Sequence, residues 1–171
     1  MNEPIVIRTL LPADPPHAAA EIYERAGEGL VFGAPGPDDL TRLAGNDTTR
    51  VLVAEYSKTI IGAAIVGFPA DDELLRAVPW FGRDDMGVMS RIAVEPALRG
   101  MGVASALIAR CELDARDRGA ANLGCALSPD HAKLIPLFER RGYTPVARVE
   151  RGFEHLTIMS KMLAGNAALA A

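Results

Sequence analysis

Along the chain the apolar positions change period several times, and each change marks an element. "IVIRTL" at 5–10 reads as a first strand, broken by Pro12. "DPPHAAAEIYERAGEGL" then predicts a helix with Asp14 as N-cap and Pro15 in its first position. Ala19, Ile22, Tyr23 and Ala26 fall on one face at helical spacing. "GAPGPDDLTRLAGNDTT" predicts a turn, a short helix from about Pro37 to Leu43 and another turn. Two apolar runs, 49–56 and 59–68, are parted only by Ser57 and Lys58, which is the spacing of a hairpin. Residues 69–85 are irregular, with "ADDELLRA" giving one helical turn and "VPWFG" an exposed aromatic loop. "MGVMSRIAV" at 86–94 is a further strand, ended by Glu95 and Pro96.

From Gly102 the period returns to that of a helix. Val103, Ala104, Leu107, Ile108, Cys111 and Ala115 form one apolar stripe, while Arg110, Glu112, Arg116 and Asp117 face away, and Gly119 ends the run. "ANLGCAL" at 121–127 predicts a buried strand. "HAKLIPLFERRG" predicts a helix that starts near Ala132, which keeps Pro136 in its first turn, and stops at Gly142. "YTPVARV" and "HLTIMSKML" close the pattern as two antiparallel strands. The class is mixed α/β (α+β), with helices covering a mostly antiparallel sheet. Strand 86–94, helix 100–118 and strand 121–127 require one parallel crossover. Without repeats or a linker, residues 1–163 read as a single domain and "AGNAALAA" at 164–171 as a flexible tail.

Composition narrows this little. The 171 residues suffice for one domain with a real core, 49% of them are hydrophobic, and the net charge of −4 comes without any basic cluster. Arg140, Arg141, Arg148 and Arg151 are interleaved with Glu139 and Glu150, which describes a solvated face, so no nucleic-acid partner is expected. Cys111 and Cys125 make neither a disulfide framework nor a metal site and are expected as buried thiols. No apolar run has the length of a signal peptide or a membrane span, so a cytoplasmic location without a membrane partner is the expectation.

The candidate chemistry begins at "RGMGVASALI", residues 99–108, where a basic turn with two glycines opens the helix. The first amides of a helix have no intrahelical partner, and they point with the positive end of the helix dipole toward any anion. Gly100 and Gly102 remove side chains that would hold a phosphate away, and Arg99 adds charge. The alternative is a tight connection with no ligand. Neither familiar nucleotide loop fits. A Walker loop needs Gly-Lys followed by Ser or Thr, and no lysine lies between Lys58 and Lys133. A dinucleotide fingerprint needs a third glycine where Ser105 stands, and an acidic residue at the end of a strand that here reads "ANLGCALS".

Arg99, Gly102 and Ala104, within "IAVEPALRGMGVASALI", fill the pattern of Arg or Gln, two residues, Gly, one residue, then Gly or Ala. With "LIPLFERRGY", a helix ending in a Gly-aromatic pair, the chain resembles the GNAT-type acyl-CoA N-acyltransferase superfamily over roughly residues 3–163. The resemblance implies a central mixed, mostly antiparallel sheet of six to seven strands flanked by about four helices and splayed between strands 86–94 and 121–127. It also implies acetyl-CoA as cofactor. The pyrophosphate would rest on the amides of Arg99, Gly100, Met101, Gly102, Val103 and Ala104 with Ser105 beside it. The pantetheine arm would pair with Ile92, Ala93 and Val94, with Phe138 bordering it; His131 would contact the arm or serve as a base, unless it is a plain residue at a helix N-terminus.

Amine acylation needs a neutral amine, a site for a developing oxyanion and a proton for the leaving thiolate. Where many relatives carry a tyrosine as acid this chain has Phe138, and where some carry a glutamate as base it has Val88. Ser90, on the same face of the strand as Val88, could hold a relaying water. Tyr143 is the replacement candidate for the acid, and Asp84 and Asp85 are candidates at the strand entrance if they are not simply solvated. Alternation turns Arg91 away from the face of Ser90. Cys125 lies on the strand lining the gap and is expected to pack there rather than to accept an acyl group. His17 and His155 are expected to be structural or exposed. Specificity would come from Tyr23, Glu24, Phe32 and the segment "DDELLRAVPWFGRDD", whose Trp80 suggests a lid over a cationic or aromatic amine; a contact between two copies in a homodimer explains the same aromatics. The expected activity is acetyl transfer to a primary amine of a small molecule or peptide. The rival is an acyl-CoA-binding sensor or interaction module without turnover, and a succinyl or propionyl donor leaves the class unchanged.

Overall fold

In a computed structural model, residues 3–27, 30–70, 72–83 and 85–163 are described, and they form one mixed sheet with helices on both faces. The expected tail at 164–171 and the candidate Asp84 lie outside these residues. The strands are β1 (Val6–Thr9), β2 (Thr49–Tyr56), β3 (Thr59–Gly67), β4 (Met86–Val94), β5 (Asn122–Leu127), β6 (Thr144–Arg151) and β7 (Glu154–Met162). They lie in the order β1-β2-β3-β4-β5-β7-β6. All neighbours are antiparallel except β4 and β5, the pair that the crossover requires to be parallel. The helices are α1 (Pro16–Ala26), α2 (Pro37–Ala44), α3 (Asp72–Ala77), α4 (Val103–Asp117) and α5 (Ile135–Arg140), so the described residues hold five where the resemblance implied about four.

Alternation along β4 sorts the core into the two faces of the sheet. Met89 and Val94 pack with Val103, Leu107, Ile108 and Cys111 of α4 and with Phe138 of α5. Ala93 packs on the opposite face with Ala19, Ile22 and Tyr23 of α1 and with Leu40 and Leu43 of α2. Met86 and Val88 extend that second face under Leu74 and Phe81. Gly62 of β3 lets α4 sit close to the sheet, since a Cβ there would lie 3.1 Å from Val103 and 3.2 Å from the Ala93 carbonyl oxygen.

Three local expectations are corrected. Helix α1 begins at Pro16 with Pro15 as N-cap, because Asp14 is engaged elsewhere: it accepts two bonds from Arg8, at 2.7 and 3.0 Å, and one from the Leu11 amide. Those contacts hold the Asp14 carboxyl below its ordinary range, and the Arg8 hydrogen bond is the main cause. The segment 129–134 is a 3-10 helix, and α5 begins only at Ile135, beside its proline. The "VPWFG" stretch is not an exposed loop, since Phe81 is a core residue at 1% exposure.

Candidate active site

Strands β4 and β5 pair only through Met86–Val88 and Asn122–Gly124. Beyond that point β5 stays on β7, while β4 follows β3. The two strands therefore part, and a cavity of about 570 Å³ opens between Met89–Val94 on one side and Cys125–Leu127 on the other. The cavity runs through the sheet. At one end it meets the glycine turn, the start of α4 and the residues Leu134, Leu137 and Phe138; at the other it meets the loop Leu30–Phe32.

The turn has the geometry of an anion cradle. Gly100 and Gly102 adopt φ of +82° and +84°, a region where any side chain is strained, and a Cβ on either would meet nothing within 4 Å. The glycines are thus required by backbone conformation, and the space above them is open. Gly102 is the N-cap of the 15-residue α4 and no side chain caps it, so the amides of its first turn keep no intrahelical partner. Arg99, Gly100, Gly102, Val103, Ala104 and Ser105 all line the cavity, as do Ile92, Ala93, Val94, His131 and Phe138. Met101 does not: its side chain is 59% exposed. A smaller polar recess bounded by Arg25, Arg99, Asp130, His131 and Lys133 adjoins this end. Among the described residues lining the cavity itself the ionisable side chains other than the Cys125 thiol are basic, namely Arg91, Arg99, His131, Lys133 and Arg140.

The middle of the cavity is shaped by a bulge. Ala93 pairs with Ala63 and Ser90 with Ile65, so two residues of β4 oppose the single Ala64. Arg91 takes up the difference at φ +51°. The bulge cancels one alternation, and Arg91 comes to the α1 face beside Ser90, which corrects the expectation that it turns away. Its guanidinium donates to the carbonyls of Phe32 at 3.0 Å and Gly33 at 3.2 Å and lies 5.7 Å from the centre of the Phe32 ring. Ser90 lines the cavity, and its buried hydroxyl has no hydrogen-bond partner among the described residues.

Other candidates lie apart from the cavity. The Tyr143 hydroxyl donates to Glu112 of α4 at 3.0 Å, and Glu112 also receives Lys161 at 3.2 Å and Arg141 at 3.5 Å. Its ring packs edge-on against Phe138 at 5.3 Å, and burial pushes the phenol well above its ordinary range. Tyr23 is buried under α1, its hydroxyl is also without a partner, and its side chain does not reach the cavity wall. Trp80 is held by the 3-10 turn Pro79–Phe81 with Arg83 stacked 4.4 Å over its ring, and it does not line the cavity. Asp85 is exposed and accepts from the Asn122 side chain, which fastens the paired ends of β4 and β5. Phe32 lines the cavity as expected. Cys125 lines it too, and burial pushes its thiol up to about 12, which leaves negligible thiolate at neutral pH. Val31 and Arg91, which shape the loop end of the cavity, had no motif to betray them.

The sequence model of the Acetyltransferase (GNAT) family matches residues 17–143. The chain belongs to this family. Acetyltransferases of Yersinia pestis and Yersinia enterocolitica are 29% identical to it over 105 residues, which is 61% of this chain and 64% of theirs. The match thus spans less than two thirds of those relatives. Among solved structures, the ribosomal-protein-S18-alanine N-acetyltransferase of Escherichia coli superposes with a TM-score of 0.72 at 19% identity, covering 94% of each chain. Salmonella typhimurium yncA, solved with its cofactor acetyl-CoA, superposes with a TM-score of 0.70 at 25% identity over 94% of this chain and 95% of that one. No helix among the described residues is long and apolar enough to cross a membrane.

Proposed function

We propose that the protein transfers an acetyl group from acetyl-CoA to a primary amine of a small molecule or peptide, by direct attack with both substrates held in the split between β4 and β5. One observation carries this reading: an uncapped helix N-terminus with an open two-glycine turn leads into a cavity whose wall is the free edge of a strand. Arg99, Gly100, Gly102 and the first amides of α4 suit a pyrophosphate. The edge of β4 at Ile92–Val94 suits an extended amide-bearing arm. Bound there, acetyl-CoA supplies a thioester carbon already activated toward a neutral amine.

The chain's own residues then have defined tasks. The bulged stretch of β4 supplies a backbone N–H to polarise the thioester oxygen. Ser90, with an unpartnered hydroxyl in the wall, holds the water that takes the amine proton outward. Leu30, Val31 and Phe32 exclude solvent at the acceptor end. Phe138 and Val88 cannot exchange protons, so as the C–S bond breaks the leaving thiolate takes its proton from solvent or from the nitrogen of the attacking amine, which becomes positive when the new C–N bond forms. Tyr143, committed to Glu112, has no part in this scheme.

The test is calorimetric titration with acetyl-CoA followed by thiol release on a panel of primary amines. Micromolar binding with amine-dependent thiol is expected. The absence of binding defeats the reading. Tight binding with no thiol from any amine defeats catalysis and favours the acyl-CoA sensor, the reading that Phe138 and Val88 favour.

A further inference from the structure

The loop Leu30–Gly33 belongs to no helix or strand, yet each of its carbonyls is taken. Leu30 accepts from the Gly33 amide at 3.0 Å. Val31 accepts from Arg151 of β6. Phe32 and Gly33 accept from Arg91 of β4, at 3.0 and 3.2 Å. Arg151 is in turn oriented by Glu154 at 2.8 Å. Surface loops ordinarily lend their carbonyls to water and move. This one is held by two planar forks that come from distant strands, and a guanidinium fork loses little freedom in making such bonds. The Arg91 backbone holds a left-handed conformation at φ +51° to reach its place, a strain that persists only where the surroundings impose it. Meanwhile the side chains of Leu30, Val31 and Phe32 form the acceptor wall of the cavity.

We infer that Arg91 and Arg151 are positioning residues for the amine acceptor: by gripping the carbonyls of 31–33 they fix the wall at Phe32 and so set acceptor affinity, without acting on the acyl donor. This assignment rests on the acetyltransferase reading for its kinetic arm and on the structure alone for its dynamic arm. It makes the distal end of β6 part of the acceptor site, although Arg151 itself does not line the cavity. The loop is apolar on its inner side, so 2-phenylethylamine is the probe of choice.

The variants are Arg151→Gln, Arg91→Gln, the double variant and Arg151→Lys. Backbone hydrogen exchange of 30–36 in the free protein should rise about tenfold or more in each single Gln variant, the size of one lost bond to a charged group. The KM for 2-phenylethylamine should rise in parallel, and in Arg151→Gln, whose residue does not line the cavity, acetyl-CoA affinity should stay unchanged within about twofold. Because both arginines act through one loop, the double variant should cost less than the product of the single effects. Arg151→Lys should recover most of the loss, since a single carbonyl is at stake. Unchanged exchange at 30–36 overturns the inference, as does a fall in acetyl-CoA affinity that matches the rise in KM, or strict multiplicativity in the double variant. If the wild type binds acetyl-CoA but acetylates no amine, the catalytic reading fails, while the exchange measurements still decide whether the arginines hold the wall.

Discussion

At the glycine-turn end of the cavity, the anion cradle itself comes from one continuous stretch, 99–105, and most of its groups are backbone amides. At the loop end the wall comes from 30–32 and from Ser90 and Arg91, with Arg151 holding the loop from behind, and these meet only once the sheet has formed. The first end is local in sequence and built of groups every residue possesses. The second depends on side chains in long-range register. One design can receive the same anion in chains that differ elsewhere, and the other can be retuned by changing a loop or an arginine. This is the division expected of a protein that keeps its acyl donor while its acceptor is specified separately.

The sharpest way to break the comparison is at Gly102. Gly102→Glu forces a side chain into φ +84° and places a carboxylate at the helix N-terminus where the pyrophosphate is to sit. Acetyl-CoA affinity should fall about a hundredfold or more, because like charges in one site cost several kcal/mol. The Cβ meets no protein atom within 4 Å, so the fold should tolerate the change apart from the strain. A calorimetric titration reads the first effect and thermal unfolding the second. Unaltered affinity would mean that the turn holds no anion.

The same difference decides what could be read without coordinates. The turn was legible because two glycines, an arginine and an apolar stripe at helical spacing lie side by side, and the chemistry of an uncapped helix start follows from them. The succession of strands and helices along the chain and the buried cysteines were legible for similar local reasons. The bulge was not. Strict alternation through "MGVMSRIAV" sends Arg91 to the face opposite Ser90, and only the pairing with β3 reveals the extra residue. Nor could the sequence show that Val31 would find Arg151, 120 positions away. Phe81 and Trp80 misled because their segment has no period, so its burial is set wholly by the sheet face on which it lands. Asp14 misled because the ion pair with Arg8 competes with capping, a competition between a local and a tertiary partner.

A second measurement sharpens the middle of the cavity. Ser90 lines the cavity at 6% exposure, and its hydroxyl has no partner among the described residues. A buried unpaired hydroxyl is a stability cost, so Ser90→Ala should leave the protein as stable or up to about 1 kcal/mol more stable. If the hydroxyl holds the water that relays the amine proton, the same change should lower kcat about tenfold, with the loss greatest at low pH, where fewer amine molecules are neutral. Stability and activity are thus expected to move in opposite directions. A variant that loses stability together with activity would show that Ser90 merely packs.

The smallest effect is expected at Tyr143, and it separates the site from its support. The phenol is buried, pushed up by burial and by the neighbouring Glu112 carboxylate, and its hydroxyl is spent on that carboxylate. A phenol in that state is a poor proton donor to a thiolate, and it lies behind Phe138 rather than in the cavity. Tyr143→Phe removes one bond to Glu112 and leaves Lys161 and Arg141 on the same carboxylate. The cost should be about 1 kcal/mol of stability, read from denaturant unfolding. Because kcat with any accepted amine should stay within about twofold, a large loss of kcat at preserved acetyl-CoA affinity would restore Tyr143 as the acid. Because the Glu112 cluster joins α4 to β7, the loss of stability should appear equally with and without acetyl-CoA; a loss confined to the bound form would place Tyr143 on the cofactor side of the cavity and erase the boundary drawn between support and site.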